Sequence, residues 1–176
     1  VIQSKDASTI YDVPLMMEKE KLDTVVLRKL DISNFSSTSM SNWTEFVNRL
    51  KYPKNTVNIG LIGKYVELQD SYKSILEALV HAGSVNETKV VIHSIHSEFI
   101  DDDQINNQIS KLDGVIVAPG FGSRGIEGKI KSIKYVRENN IPFFGICLGM
   151  QMAVIEYSRN ILNLEDSNST EMDEKT

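Results

Sequence analysis

The alternation of short apolar runs with amphipathic segments, which starts at Thr56, constrains the fold of this chain most strongly. Four runs have the length and composition of buried strands: Val57–Ile62, Lys89–Ile95, Gly114–Ala118 and Pro142–Ile146. The other segments have helical periodicity, over residues 71–82 (with Gly83 as the predicted end), 104–112, 126–139 and 148–162. The sequence therefore predicts an α/β fold, an open and mostly parallel sheet with helices on both faces.

The first third of the chain lacks this alternation and predicts a separate unit. Apolar residues recur at helical spacing after Pro14, and a Ser/Thr-rich stretch follows. A short helix is then predicted with Ser41 as its N-cap and Pro53 beyond its end. We therefore expect three parts: the tail of another domain over residues 1–32, a linker over 33–55 and the α/β domain over 56–176.

Composition and charge exclude several classes of protein. Acidic residues outnumber basic ones by 24 to 19, and the net charge of −5 argues against a surface dedicated to nucleic acid or anionic membrane. No apolar run approaches the ~18 residues of a membrane span. The single cysteine, Cys147, excludes an intrachain disulfide framework and a multi-cysteine metal site. These features predict a cytoplasmic protein with no nucleic acid or membrane partner.

The strongest functional signal is Gly145-Ile146-Cys147-Leu148-Gly149, which joins a predicted strand to a predicted helix. It has the form of a G-x-nucleophile-x-G elbow with cysteine in place of serine. The small flanking residues permit a sharp turn, and the N-terminus of a helix favours the thiolate. The pattern predicts that Cys147 is a nucleophile; the alternative is a structural cysteine between incidental glycines.

A second signal is the segment Ala118–Gly125, which follows the third predicted strand and contains G-x-G-x-x-G. A dinucleotide-binding site would need an acidic residue about 20 positions further on. The chain has Gly145-Ile146-Cys147 there, which argues against that class of site. We therefore interpret the segment as a loop whose backbone N–H groups face an oxyanion formed at Cys147. An ordinary flexible glycine turn is the alternative.

The histidines offer no evident partner for this cysteine. A nucleophilic cysteine normally needs a histidine within hydrogen-bond reach. His81, His93 and His96 all precede Cys147, and none is near it in sequence. Each is interpreted as a structural or solvated residue.

The segment Gly145–Gln151 (G-I-C-L-G-M-Q) resembles the nucleophile elbow of class I glutamine amidotransferases. Other segments resemble the amidotransferase domain of the CTP synthase family: residues 57–79, 120–129 and 168–171 (N-S-T-E). Residues 1–32, which include Ile10-Tyr11-Asp12-Val13-Pro14, resemble the end of the synthetase domain of that family. The resemblance thus extends over nearly the whole chain.

The resemblance implies a two-site ligase that converts UTP to CTP. The amidotransferase domain of such an enzyme hydrolyses L-glutamine to glutamate and ammonia. A synthetase domain of the same chain uses ATP and Mg²⁺ to activate the C4 oxygen of UTP, which the ammonia displaces. GTP is expected as an allosteric activator, and a tetramer as the assembly. ATP, Mg²⁺ and UTP belong to the synthetase domain, so no cofactor is expected on this segment alone.

The same resemblance assigns roles to individual positions. Cys147 would attack the side-chain amide of glutamine, and Leu148 would donate its backbone N–H to the oxyanion. Glu171 would hold the amino group of the substrate, because a free ammonium needs a fixed carboxylate. The other residues expected to bind glutamine are Gly120, Gly149, Met150 and Gln151, and the expected GTP-responsive loop contains Phe121, Arg124, Gly125 and Glu127.

Two departures from the family pattern bear on this assignment. The family usually reads Pro-Gly-Gly-Phe-Gly where this chain has Ala118-Pro119-Gly120-Phe121-Gly122, and Pro119 has no N–H to donate. The catalytic histidine of the family and its glutamate partner lie in a His-x-Glu segment that would follow Thr176. We therefore expect a C-terminally truncated fragment that is inactive in isolation.

Two alternatives to a CTP synthase fragment are open. The first is a non-catalytic, truncated amidotransferase-like domain that serves as an interaction module. The second is the amidotransferase subunit of another synthetase. The segments Gly63–Leu68 (G-K-Y-V-E-L) and 168–171 argue against the second alternative.

Overall fold

Four parallel strands form one sheet in a computed structural model of the chain, which describes residues 1–33, 36 and 38–176. The strands are β1 Asn55–Gly63, β2 Thr88–His96, β3 Gly114–Val117 and β4 Phe143–Gly145, and their spatial order is β2-β1-β3-β4. Each strand coincides with a predicted apolar run, and all three pairings are parallel. The predicted fold class is therefore confirmed, while linker residues 34, 35 and 37 lie outside the described residues.

Seven α-helices accompany the sheet in the described part of the chain. They are α1 Val13–Lys19, α2 Leu22–Lys29, α3 Ser41–Lys51, α4 Lys73–Val85, α5 Ile105–Ile109, α6 Ile126–Glu138 and α7 Leu148–Asn160. Helices α4 to α7 lie where the periodicity predicts them, although α5 is shorter than the predicted segment. The chain beyond Asn160 contains no further helix or strand, as expected.

Two predicted helix boundaries are wrong. Ser41 is the first residue of α3, and the N-cap is Met40, which makes no side-chain cap hydrogen bond; the Ser41 N–H donates to Ser39 Oγ at 3.3 Å. Helix α4 continues beyond Gly83. That glycine serves close packing instead, since a Cβ there would lie 2.6 Å from the carbonyl oxygen of Thr88.

Apolar side chains cover both faces of the sheet. On one face, α5, α6 and α7 bury residues such as Ile109, Val117 and Met152. On the other face, α4 packs over Leu61 and Tyr72. Because helices cover both faces of the sheet at its centre, β3 is buried throughout and reads as a continuous apolar run, whereas the outer strands β2 and β4 keep exposed residues such as His93 and Phe144.

The N-terminal segment contacts the α/β unit through Tyr11. The Tyr11 hydroxyl donates to Glu77 Oε2 at 2.5 Å and lies 2.7 Å from His81 Nε2, both on α4. Trp43 of α3 donates its Nε1–H to the Tyr11 carbonyl at 2.9 Å. The predicted tail is thus attached to α3 and α4, while the predicted domain boundaries stay a prediction.

The carboxyl ends of the four strands lie at one edge of the sheet because all strands are parallel. From β1 the chain passes to β2 on one side and then returns to β3 on the other. Such a reversal opens a crevice between β1 and β3, where open α/β sheets bind their ligands. The glycine loop follows β3 and the elbow follows β4, so both lie beside this crevice.

Candidate active site

Cys147 lies at the turn between β4 and α7 and is exposed. Its backbone has φ 52° and ψ −109°, a conformation that strains any residue with a side chain. A Cβ on Gly145 would lie 2.7 Å from the backbone of Gly149, and a Cβ on Gly149 would lie 2.1 Å from the Val117 carbonyl oxygen. Both glycines are therefore needed for the close approach, and the segment has the strand–turn–helix geometry of an elbow.

The start of α7 supplies a backbone donor next to Cys147. Leu148 is the first residue of α7, and no group among the described residues accepts a hydrogen bond from its N–H. The Gly149 N–H, by contrast, donates to the Ile146 carbonyl at 2.9 Å. An unsatisfied N–H at the positive end of a helix dipole favours a negatively charged acceptor such as an oxyanion.

The glycine loop, residues 118–125, approaches the elbow closely. A Cβ on Gly120 would lie 3.5 Å from Leu148 Cδ2. Gly122 has φ 70°, a left-handed conformation that favours glycine, and Phe121 is 78% exposed. The loop therefore presents backbone rather than side chains to the elbow.

Glu171 reaches the same loop from the C-terminal part of the chain. The Gly122 N–H donates to Glu171 Oε1 at 2.8 Å, across a separation of 49 residues. Ser169 Oγ accepts a hydrogen bond from the Glu171 N–H at 3.3 Å, and Met172 packs against the main core. The structure thus brings the carboxylate that is predicted to hold the substrate amino group to the loop beside Cys147.

Met150 and Gln151 differ in their surroundings. Met150 is 52% exposed. The Gln151 N–H donates to the Cys147 carbonyl at 3.1 Å, and Gln151 Oε1 is buried without a hydrogen-bond partner among the described residues. A buried amide oxygen without a donor is uncommon in folded proteins. Gln151 therefore carries an unsatisfied acceptor at the first turn of α7.

The residues predicted to respond to GTP contact different elements. Arg124 forms an ion pair with Glu98 at 2.5 Å and lies over the Tyr65 ring, 5.5 Å from its centroid. Glu127 is paired with Arg159 of α7 at 3.2 Å. Their side chains are thus held apart by separate partners.

None of the three histidines reaches Cys147. His81 contacts Tyr11, and His93 Nε2 lies 3.0 Å from Asn58 Oδ1. His96 is the last residue of β2. Strands β1 and β3 lie between β2 and β4, so β2 and β4 are about 14 Å apart. A histidine partner for Cys147 is therefore absent from the described residues.

Two buried lysines at the loop were not predicted as site residues. Lys64 follows β1 and is 3% exposed; Lys129 lies on α6 and is 0% exposed. The Lys129 ammonium donates to the Ala118 carbonyl at 2.7 Å, and the Lys64 ammonium donates to the Phe121 carbonyl. Both lysines thus bind the main chain of the glycine loop.

The sequence contains a signal for Lys129. It falls on the apolar stripe of α6, at helical spacing with Ile126, Ile130 and Ile133. Burial, and then the charge of Lys64, lowers the pKa of Lys129 to about 8, while Cys147 acts in the opposite direction. A lysine on a buried stripe therefore marks the site, whereas no local pattern distinguishes Lys64.

Neither a metal-ligand cluster nor a membrane-spanning helix occurs among the described residues. Across residues 1–33, 36 and 38–176, no three His, Cys, Asp or Glu side chains are grouped so that they could hold a metal ion. No helix in these ranges has the length and apolar character needed to cross a membrane.

A family model defines the class of this protein. The model of the family "Glutamine amidotransferase class-I" matches residues 67–175. This range contains the elbow, the glycine loop and Glu171. The chain therefore belongs to the class I glutamine amidotransferases.

Its relatives are CTP synthases. The CTP synthase of Flavobacterium johnsoniae is 67% identical over 176 residues, which is 100% of this chain and 33% of that protein. The CTP synthase of Methanocaldococcus jannaschii is 52% identical over 182 residues, a match that includes 100% of this chain and 34% of that protein. The structure of the glutaminase domain of Trypanosoma brucei CTPS with bound acivicin matches with a TM-score of 0.64 and 37% identity, over 68% of this chain and 47% of that chain. The chain thus spans about a third of the length of the curated relatives.

Proposed function

We propose that this chain supplies the nucleophile and part of the glutamine pocket of a CTP synthase. The observation that carries the proposal is the strained Cys147, held at a helix N-terminus beside the glycine loop. The relatives named CTP synthase, which match the chain along its whole length, support the choice of reaction.

Binding of glutamine comes first in the proposed mechanism. The α-ammonium of glutamine pairs with the Glu171 carboxylate, and the side-chain amide then lies at Cys147. Glu171 is exposed and uses one oxygen for the Gly122 N–H, so its other oxygen is available for the substrate. Gln151, Met150 and Gly149 line the same pocket at the first turn of α7.

Attack by the Cys147 thiolate follows. A bond forms between Cys147 Sγ and the amide carbon of the substrate, and the carbonyl electron pair moves onto oxygen. The backbone N–H groups of Leu148 and Gly120 donate to this oxyanion, and each such donor is typically worth about 3 kcal/mol. Pro119 has no N–H, so the loop glycine that serves in this chain is Gly120.

Collapse of the tetrahedral intermediate breaks the C–N bond. The leaving nitrogen takes a proton from a general acid and departs as ammonia, which leaves a glutamyl thioester on Cys147. Water then attacks the thioester carbon, gives its proton to a general base, and releases glutamate and the thiol. We assign these proton transfers to a histidine–glutamate pair in the longer protein, since no histidine among the described residues reaches Cys147.

The amination of UTP is assigned to the rest of the longer protein. We propose that the ATP, Mg²⁺ and UTP sites lie in the synthetase domain, as the family resemblance implies. GTP is proposed as an activator that acts through Phe121, Arg124, Gly125 and Glu127. A tetramer in the cytoplasm is proposed as the working form.

The test uses the full-length gene product. Wild-type protein is expected to form CTP from UTP and ATP with either glutamine or ammonia as the nitrogen source. Cys147→Ala should abolish the glutamine-dependent reaction and leave the ammonia-dependent one intact. Loss of both reactions, or of neither, would contradict the proposed role of Cys147.

The alternatives give other outcomes in the same experiment. Amination of a substrate other than UTP would indicate the amidotransferase of another synthetase. Absence of glutamine hydrolysis in the wild type, in a gene whose reading frame does not continue into a His-x-Glu segment, would indicate a non-catalytic domain. The chain of residues 1–176 alone is expected to hydrolyse glutamine at least ~10²-fold more slowly than the full-length protein, because it lacks the general acid–base pair.

A further inference from the structure

Lys64 and Lys129 are buried without an opposite charge. Lysine is almost never fully buried unless it is paired. Neither of these lysines forms an ion pair with a carboxylate among the described residues; each ammonium binds main-chain carbonyls of one loop. Because burial of an unpaired charge costs free energy, the arrangement calls for a reason other than stability.

Lys64 binds the loop at the peptide that precedes Gly122. Its ammonium donates to the Phe121 carbonyl, and the Gly122 carbonyl lies 3.5 Å away. The Phe121–Gly122 peptide is trans, so its carbonyl oxygen and its N–H point in opposite directions. A fixed Phe121 carbonyl therefore also fixes the direction of the Gly122 N–H.

The Gly122 N–H is directed at Glu171. It donates to Glu171 Oε1 at 2.8 Å, and the φ of 70° at Gly122 lets the backbone adopt this orientation. One peptide group thus links the Lys64 ammonium on one side to the Glu171 carboxylate on the other. This chain of contacts crosses three parts of the sequence that lie far apart.

Lys129 holds the other end of the same loop. Its ammonium donates to the Ala118 carbonyl at 2.7 Å. Gly120 lies between the two lysines, because a Cβ there would be 3.1 Å from Lys64 Cε and 3.8 Å from Lys129 Nζ. The loop between Ala118 and Gly122 is therefore fixed from both ends, and a side chain at Gly120 would press on Lys64.

We propose that Lys64 is a positioning residue for substrate recognition: through the Phe121–Gly122 peptide it aims the Gly122 N–H at Glu171 and so places the carboxylate that receives the α-ammonium of the substrate. The inference rests on the proposed function. Lys64 itself touches neither the substrate nor Cys147. Its loss should weaken recognition of the amino acid end of glutamine while leaving the thiol as reactive as before.

The experiment compares two reactions of Cys147 in the full-length gene product. Turnover of glutamine requires the α-ammonium site, whereas alkylation by iodoacetamide, which has no amino acid group, requires only the thiol. Lys64→Met should raise the KM for glutamine about tenfold or more and keep the alkylation rate within about twofold of wild type. Lys89→Met, at an exposed lysine of β2, serves as the matched control and should change neither reaction.

A double variant tests the connection between Lys64 and Glu171. If Lys64 acts through Glu171, Lys64→Met should raise the KM of the Glu171→Gln variant by less than about twofold, since the carboxylate that it positions is already lost. Independent, multiplicative effects of the two substitutions would overturn the proposal. A parallel loss of glutamine turnover and iodoacetamide reactivity in Lys64→Met would indicate a merely structural role and would also overturn it.

Lys64→Gln keeps the experiment decisive if Lys64→Met does not fold. Its amide ends one bond short of the ammonium position, so the bond to the Phe121 carbonyl lengthens, and the KM for glutamine should rise about threefold to tenfold. An unchanged KM in Lys64→Gln would refute the inference while the Cys147-dependent turnover of the wild type upholds the proposed function. Absence of that turnover in the wild type would instead refute the proposed function itself.

Discussion

The two ends of α6 differ in whether a buried charge has a partner of opposite charge. At the first turn, Lys129 is fully buried and binds only a main-chain carbonyl. At the last turn, Arg137 binds Glu156 of α7, with Nε–Oε distances of 3.1 Å and an Nη2–Oε1 distance of 2.8 Å. Glu156 is 1% exposed, so this ion pair is buried on the carboxylate side. The paired charge lies away from the elbow and the unpaired one lies beside it.

The buried ion pair belongs to the scaffold of the fold, whereas the unpaired lysine belongs to the site. A buried pair whose groups satisfy each other fixes how two helices pack, although it adds little net stability. An unpaired ammonium reduces stability and is retained where its hydrogen bonds and charge serve another purpose. Substitutions at the site end should therefore affect activity, and substitutions at the scaffold end should affect stability.

The largest expected effect is at the elbow, which lies beside the end of α6 that carries Lys129. Cys147→Gly should lower glutamine turnover by at least ~10⁴-fold, because the proposed nucleophile is lost. The same change should raise the free energy of unfolding by about 1 kcal/mol, since glycine adopts φ 52° without strain. Urea denaturation and glutamate release by the full-length protein measure the two effects. Cys147→Ala is the control: it should be equally inactive and no more stable than wild type.

The second effect is at the scaffold end. Arg137→Met leaves the Glu156 carboxylate buried without its partner and should lower the free energy of unfolding by about 3 kcal/mol. Glutamine turnover per folded molecule should not change. Lys134→Met, at an exposed position of α6, should shift the urea midpoint little. A loss of turnover in Arg137→Met without a loss of stability would break the contrast between the two ends.

The third effect is a pH dependence that Lys129 introduces. Its pKa is about 8 in the folded protein and 10.5 as the ordinary value, so the unfolded chain binds more protons between these pH values. Stability from this group therefore rises as the pH increases from about 8 to 10.5, by roughly 3 kcal/mol at most. The urea midpoint of the wild type minus that of Lys129→Met should increase over this pH range. Lys131→Met, which removes a lysine of the same helix that pairs with Asp102, is the matched control in the same measurement.

The smallest expected effect concerns Tyr11, whose hydroxyl contacts lie far from the site. Tyr11→Phe removes the hydroxyl that binds Glu77 and His81 and should cost about 1 kcal/mol of unfolding free energy. Burial, and then Glu77, raises the pKa of Tyr11 to about 12. Its contribution should therefore decline between pH 10 and 12, because the unfolded chain releases the proton first. Tyr52→Phe, at a 76% exposed residue, should have no measurable effect.

The sequence allows the sheet and the elbow to be predicted, for physical reasons. The buried parts of the strands give short apolar runs, so all four were predictable within a few residues. The elbow needs glycines at fixed spacing because Gly145 and Gly149 contact other backbone directly. Local pattern thus suffices wherever the constraint is itself local.

The remainder depends on long-range contacts that no local pattern encodes. The approach of Glu171 to Gly122, and of Lys64 to Phe121, joins segments about 50 and about 60 residues apart. Glu171 was predicted through the family resemblance, and Lys64 was not predicted at all. The wrong N-cap at Ser41 is a local error of one residue, since the helix begins at Ser41 itself and the Ser41 N–H donates to Ser39 Oγ.

The backbone angle at Cys147 also has an evolutionary consequence. On the proposed function, a residue that strains the turn is retained while selection acts on the thiol, because glycine would fit the same turn better. A lineage that no longer uses the thiol should therefore accumulate glycine at position 147 sooner than it loses Gly145 or Gly149, which the packing of the turn requires. The residue at position 147 in other copies of this gene would then indicate which lineages have lost catalysis.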